Sequence, residues 1–347
     1  MAGIDKGALK WAWTVFLFAL VAVLLYQVRH TLVIFALAVF LSHLLAPVVS
    51  FFDRTGPLRL PRALVVTLVY VGVLAAVILA AISLGARIGG EAASLAVKLR
   101  DTMSQPDPLS HIPFPSWFDS VRPAAEPVVK KWLADLEQHV LPLITSAGVQ
   151  ILSGIGSLLN AVLIPILSFF FLKDGAAIRK TIVGSFPHNN QTVVNEILVD
   201  LNELLAQYIR ALVLLSMAAF VGYTGFLSIA SVPYAILLAG VAAIFEFIPV
   251  VGPLMASVAI LLVAAFTGYP HLLWIVAFLA IYRLFQDYVL SPYLMSAGVE
   301  IHPLLVLFGV LAGEQIAGVE GMFFSVPVIA ALRVIFVRLR RQRRAEA

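Results

Sequence analysis

An all-α, polytopic membrane helix bundle is the fold class that three observations predict, with about eight membrane segments, two of them broken, and a small extramembrane helical domain. The first is composition. The chain has 347 residues, 61% hydrophobic and only 12% charged, where soluble domains carry about 25% charged residues. Second, several apolar runs reach the ~20 residues that a helix needs to cross a bilayer core. The third is a matched pair of apolar stretches too long for one straight span. One runs from Pro233 to Phe266 and contains Glu246-Phe-Ile-Pro-Val-Val-Gly-Pro253; the other runs from Pro303 to Val337 and contains Gly313-Glu-Gln-Ile-Ala-Gly-Val-Glu-Gly321. Freed backbone groups and a charge at membrane depth are tolerated only where protein buries them or water reaches them. Two such breaks in corresponding places point to a transport site.

The segments fall at roughly 9–28, 31–52, 63–85, 148–172, 209–230, 233–266, 271–290 and 303–337. Lys6 and Lys10 ahead of the first run resemble a signal peptide, but no small-residue cleavage site follows, so the run is read as a span. Trp11 and Trp13 suit an interfacial position. Gln27 to His30 makes a tight turn into the second span, and a basic, proline-flanked link at 53–62 leads to the third. Residues 86–147 read as an extramembrane helical domain. Ile88, Ala92, Leu95, Leu99 and Met103 recur at helical spacing, a proline-rich loop follows, and Val129, Trp132, Leu133, Leu136 and Val140 mark a second amphipathic helix. This divides the chain into N-terminal membrane helices (1–85), the extramembrane segment (86–147) and a C-terminal transport region (148–347). Asn160 and Pro165 mark a kink in the fourth span. Residues 191–208 predict an amphipathic helix packed under the bundle.

Six arginines lie in the final fifteen residues, which predicts a cytoplasmic C-terminus. Counting back through eight crossings puts the N-terminus, the 53–62 link and the 173–208 segment on the same side, and the links 231–232 and 291–302 opposite. By that count a cytoplasm-dependent reporter is active at the C-terminus and a periplasm-dependent one at Pro108. On it, too, the two broken stretches are either a parallel repeat or a chance likeness between apolar, glycine-rich segments. With net charge +4 spread over span ends, nucleic-acid binding has no support. The chain has no cysteine, hence no disulfide, thiolate metal site or cysteine nucleophile. Metalloprotease, serine-hydrolase and phosphate-loop motifs are absent, so neither enzyme activity nor an ATP-driven step is expected, and no cofactor is called for.

Chemistry is expected at three places. Glu246 costs about 2.5–3.5 kcal/mol at a helix centre, while Pro249, Gly252 and Pro253 break the helix beside it and free carbonyls. A carboxylate and unwound carbonyls coordinate a cation or take up a proton; alternatively Glu246 pairs with a buried cation and the prolines are a structural kink. In the seventh span Arg283, Gln286 and Asp287 share one face, with Tyr282 and Tyr288 near them. They either line a cavity or contain a self-neutralising pair. Around the last break, Glu314, Gln315 and Glu320 accompany Gly313, Gly318 and Gly321. Two carboxylates there carry protons or bind a cation; otherwise the glycines form a packing seam with one carboxylate paired to Arg283 or Arg210. His43 and His302 read as satisfied interfacial groups. The two breaks are expected to meet in one hydrated cavity, which cysteines paired at Val251 and Ala317 would cross-link.

An ordered set of motifs carries a resemblance. It comprises Leu60-Pro-Arg62, Phe171-Leu-Lys-Asp174, Ile248-Pro-Val-Val-Gly-Pro253, Gln286-Asp-Tyr-Val-Leu-Ser-Pro292 with Ile301-His-Pro303, and Ala317-Gly-Val-Glu-Gly-Met322 with Val326-Pro327. In these the chain resembles the autoinducer-2 exporter family of bacterial membrane proteins. The resemblance implies a multi-pass inner-membrane protein that exports small molecules such as the quorum-sensing signal or, in some members, exchanges Na⁺(Li⁺) for H⁺. It also implies a homo-oligomer, with a pentamer as the form to test. Against a coupled secondary transporter stand a passive oligomeric channel, with carboxylates setting selectivity, and a membrane scaffold without transport.

Overall fold

The computed structural model describes residues 6–55, 61–103, 158–294 and 302–345, together with Pro127 and Lys131. Among the described residues there are helices and no strand. They are α1 (Lys6–Gln27), α2 (Arg29–Thr55), α3 (Arg62–Met103), α4 (Leu158–Gly184), α5 (His188–Ile229), α6 (Ala235–Phe245), α7 (Val251–Phe266) and α8 (Leu272–Phe285). A π-helical turn (Gln286–Leu290), α9 (Ser291–Leu294) and α10 (Pro303–Ala345) complete the order. The all-α expectation holds. Stretches long and apolar enough to cross a membrane occur in five helices, Arg29–Phe52, Ala63–Asp101, His188–Ile229, Leu272–Leu294 and Pro303–Gln342, beside three shorter apolar ones. Their outer faces are apolar: Phe18 is 78% exposed and Ile229 86%, as lipid contact requires and water would penalise.

Helix α3 continues without a break through residue 86, and α5 joins the amphipathic 191–208 stretch to the span that follows. Neither junction holds a proline, and nothing else in the sequence there interrupts the hydrogen-bond ladder. The second amphipathic helix expected at Val129–Val140, and residues 148–157 of the fourth segment, lie outside the described residues.

The chain forms two compact units. One comprises residues 47–158 and 198–300, and its core gathers Leu95 and Leu99 of α3, Ala219, Tyr223 and Leu227 of α5, and buried residues of α6, α7 and α8. Here the stretch 233–266 is a helical hairpin. Helix α6 has 11 residues and α7 has 16, about 16 and 24 Å of helix, so neither fills a ~30 Å hydrocarbon core. The two ends of the stretch meet: the Tyr269 hydroxyl donates to the Ala230 carbonyl at 2.9 Å. A continuous helix over the same residues would separate them by more than about 50 Å. The chain therefore leaves and returns at one level. Glu91 of α3 holds the base of this hairpin, its carboxylate accepting from the Leu237 amide at 2.8 Å, one of the orphan donors of the first turn of α6. Cysteines at Ser231 and His271, both exposed, should react with an impermeant maleimide from the same face of the membrane; labelling from opposite faces would restore a crossing segment.

The other unit comprises residues 1–46, 159–197 and 301–347. Phe35 of α2 meets Phe171 of α4, and Phe40 meets Phe323 of α10, at ring-centroid distances of 6.1 and 5.0 Å. Helix α10 is likewise folded back on itself. Its backbone leaves helical geometry at Ala317 and Gly318, the latter at φ +62°. A methyl group placed on Gly313 would strike the carbonyl of Gly321, and one on Gly321 the carbonyl of Gly313. Eight residues apart in a straight helix, these positions would be ~12 Å from each other. One turn down, a methyl on Gly309 would lie 3.5 Å from the Ser325 Cβ. The legs 303–316 and 319–345 thus run antiparallel with backbones in contact, a crossing that only glycine permits.

Candidate functional site

The turn of the first hairpin positions Glu246. It caps the C-terminus of α6, its amide bonded to the Ala242 carbonyl, and its side chain is only 6% exposed. Its carboxylate accepts a 2.6 Å hydrogen bond from the Gln286 side-chain amide. Gln286 is itself 4% exposed and opens the π-helical turn after α8. That turn, in which the Ser291 amide bonds the Gln286 carbonyl, inserts one extra residue into the helix. Such insertions cluster at functional sites because they re-aim side chains at local energetic cost.

The carbonyls freed at the break are largely engaged. Ala243 accepts from the Ser216 hydroxyl at 2.7 Å, Phe245 from the Ile248 amide at 2.9 Å, Ile248 from the Gly252 amide at 3.0 Å and Pro249 from the Val251 amide at 2.7 Å. Pro253 stands in the first turn of α7, where its missing N–H would have been unpartnered anyway, and its carbonyl takes the Ser257 hydroxyl at 2.8 Å. Gly252 has room for no side chain, since a methyl there would strike the Phe245 carbonyl. Val250 pays in strain, at φ +66°, a conformation rare for a β-branched residue. The chemistry at this turn thus rests on the carboxylate.

Two buried tyrosines stand near it. Tyr223 and Tyr282 lie 4.9 Å apart by ring centroid, 3% and 9% exposed, and both are within electrostatic reach of Glu246. The Tyr282 hydroxyl is buried without a partner. Arg283 and Asp287 make the expected i,i+4 pair at 2.8 Å, each about four-tenths exposed. Solvent screening at that exposure leaves such a pair with little effect on stability. Gly222 lets the Tyr282 ring approach: a methyl there would lie 2.8 Å from the ring edge. Gly222→Ala should displace Tyr282, costing about 1–3 kcal/mol of stability and lowering transport while the protein still assembles.

Glu246, Pro249, Gly252, Pro253, Arg283, Gln286 and Asp287 are therefore one neighbourhood in one unit. Glu314, Gln315 and Glu320 are exposed around the turn of α10, in the other unit, and among the described residues they make no ion pair. Tyr223, Ser257 and Glu91 were not singled out by the sequence. Tyr223 carried a weak signal, a polar-tipped aromatic beside Gly222 in an apolar span. Both histidines have hydrogen-bond partners: His43 Nδ1 lies 2.8 Å from the Val39 carbonyl, and His302 accepts the Leu304 amide at 3.2 Å at the start of α10. No cluster of metal-ligating side chains occurs among the described residues.

A family model described as AI-2E family transporter matches residues 14–341. The chain belongs to the AI-2E transporter family. It is a multi-pass membrane protein of a transporter class, and its apolar helices agree with that. Two relatives in Bacillus subtilis carry provisional names as transport proteins. YueF is 25% identical over 85% of this chain and 80% of its own length. YrrI is 29% identical over 55% of this chain and 56% of its own length, so the match spans little more than half of that relative. MJ1177 of Methanocaldococcus jannaschii, named in the same way, is 26% identical over 54% of this chain and 57% of its own length.

Proposed function

We propose that this AI-2E family chain is a secondary transporter of the bacterial inner membrane. In this reading it exports a small polar solute of the autoinducer-2 type or exchanges Na⁺(Li⁺) for H⁺, with Glu246 as the coupling carboxylate. One observation carries the proposal. A structural ion pair at Glu246 requires a buried cation as partner, and its bonded partner is the neutral amide of Gln286. Arg283, whose guanidinium is within electrostatic reach of Glu246, pairs with Asp287. A buried acid held by a neutral donor has two accessible states, protonated or bound to a transported cation, whereas a buried ion pair is locked by the 3–5 kcal/mol that breaking it costs. Tyr223 and Tyr282 add hydroxyls that a polar solute or a partly dehydrated cation can use.

Membrane topology is part of the proposal. Since each broken stretch returns to the face it left, chain connectivity gives only one crossing between them, through α8 and α9. Within one unit, Arg338 pairs with Glu196 at 2.8 Å, which supports a C-terminus on the same face as the start of α5. The arginine-rich tail argues that this face is cytoplasmic. A homo-oligomer, a pentamer as the family resemblance suggests, remains the assembly to test by mass measurement in detergent.

Purified protein in sealed vesicles tests the function. A Na⁺ pulse or an outward solute gradient should move protons, and the initial rate should saturate with substrate. Linear flux indifferent to pH would indicate a channel, and absence of flux a scaffold.

A further inference from the structure

Helix α4 leaves the apolar run at Leu172, where Lys173 and Asp174 follow, and continues as helix to Gly184. Its continuation packs against the start of α5, and between them lies a groove of about 610 Å³ lined by Arg179, Lys180, Val183, Gln191 and Asn195, among others. That volume lies in the range of small-ligand sites. Two features give the groove a chemistry. Its charge is positive and uncompensated: Arg179 donates to the neutral Asn195 at 2.9 Å, and among the described residues no carboxylate pairs with Arg179 or Lys180. The acids close to it in sequence are engaged elsewhere, Glu196 with Arg338 and Asp174 beside Lys173. Next to the basic pair stand Ile178 and Ile182, at i and i+4 on α4, and Phe186 just past its end, exposed by 37%, 40% and 44%. An apolar stripe beside a basic strip is the pattern of a helix seated in the membrane interface.

Distance decides which anion fits. Arg179 is seven residues beyond Leu172, about 10 Å along the helix, and the head-group layer extends about 5–7 Å beyond the hydrocarbon on each side. A long side chain reaches back over the remainder. We propose that this groove binds the phosphate of an anionic phospholipid, with Arg179 and Lys180 on the phosphate, Gln191 and Asn195 as amide donors, and Ile178, Ile182 and Phe186 against the acyl chains. The inference is independent of the transport reading, since it concerns a lipid that stays bound.

The test uses the full chain in phosphatidylcholine micelles with increasing phosphatidylglycerol, counting retained lipid by native mass spectrometry. Arg179→Gln with Lys180→Gln should weaken phosphatidylglycerol binding about 30-fold, and Lys180→Gln alone about 5-fold, at the usual attraction per basic residue. Arg340→Gln with Arg341→Gln, an equal loss of charge on the tail, should leave it unchanged. If the double variant does not fold, Lys180→Gln decides alone. An equal loss in the tail variant, or none in the groove variants, overturns the site. Displacement of the lipid by millimolar inorganic phosphate would assign the groove to a free anion instead. A changed oligomeric state with unaltered lipid binding would give the stripe to a second copy of the chain, and that too overturns the proposal.

Discussion

Glu246→Gln is expected to abolish coupled transport while leaving a folded, assembled protein. The amide keeps the shape of the side chain and still offers an oxygen to Gln286, so the 2.6 Å contact survives as a neutral hydrogen bond. The stability change should stay near 1 kcal/mol, since charge-assisted bonds are worth roughly twice neutral ones. The functional change should be far larger, because an amide neither takes up a proton nor neutralises a cation. Glu246→Leu is the contrasting variant. It leaves the buried Gln286 amide without an acceptor, which costs about 1–3 kcal/mol, so it should lose thermal stability as well as transport. A Glu246→Gln protein that couples normally would make the acid structural and remove the core of the proposed mechanism. The readouts are proton movement in vesicles and melting temperature in detergent.

Gly321→Leu and Gly313→Leu should have the largest effects on folding. Each side chain would occupy space held by the backbone of the opposite leg of α10, and backbone cannot rotate away as a side chain can. Overpacking usually costs about 1–3 kcal/mol; here it should reach at least the top of that range and open the hairpin, read as aggregation or loss of expression. Gly72→Ala is the matched control. A methyl there meets nothing within 4 Å, and helix propensity predicts a gain of up to about 1 kcal/mol. Tolerance of leucine at Gly321 would mean that the two legs are not in contact.

How much of this was legible in the sequence depends on the range of the interaction. Periodicity and run length gave the helices, and the i,i+4 spacing gave the Arg283–Asp287 pair, because both are local. The breaks at Pro249 and Gly318 were visible too. Whether the chain crosses or turns back there depends on contacts distant in sequence, such as the Tyr269 hydroxyl on the Ala230 carbonyl. The Glu246–Gln286 bond joins residues forty positions apart, and nothing in either local pattern selects that partner. Continuity of α3 and α5 as single helices has a different reason. Hydropathy changes at residues 86 and 209 but helix propensity does not, so the pattern marks a change of surroundings and not a helix end.

Uphill transport driven by an imposed proton gradient is the most direct test of the central claim. In vesicles with equal Na⁺ inside and out, a pH step should drive net Na⁺ or solute movement against its own gradient. That movement should vanish with Glu246→Gln, yet persist when Glu314 and Glu320 are both changed to Gln. Accumulation that follows only the substrate's own gradient, with or without the pH step, would contradict the account and leave a channel.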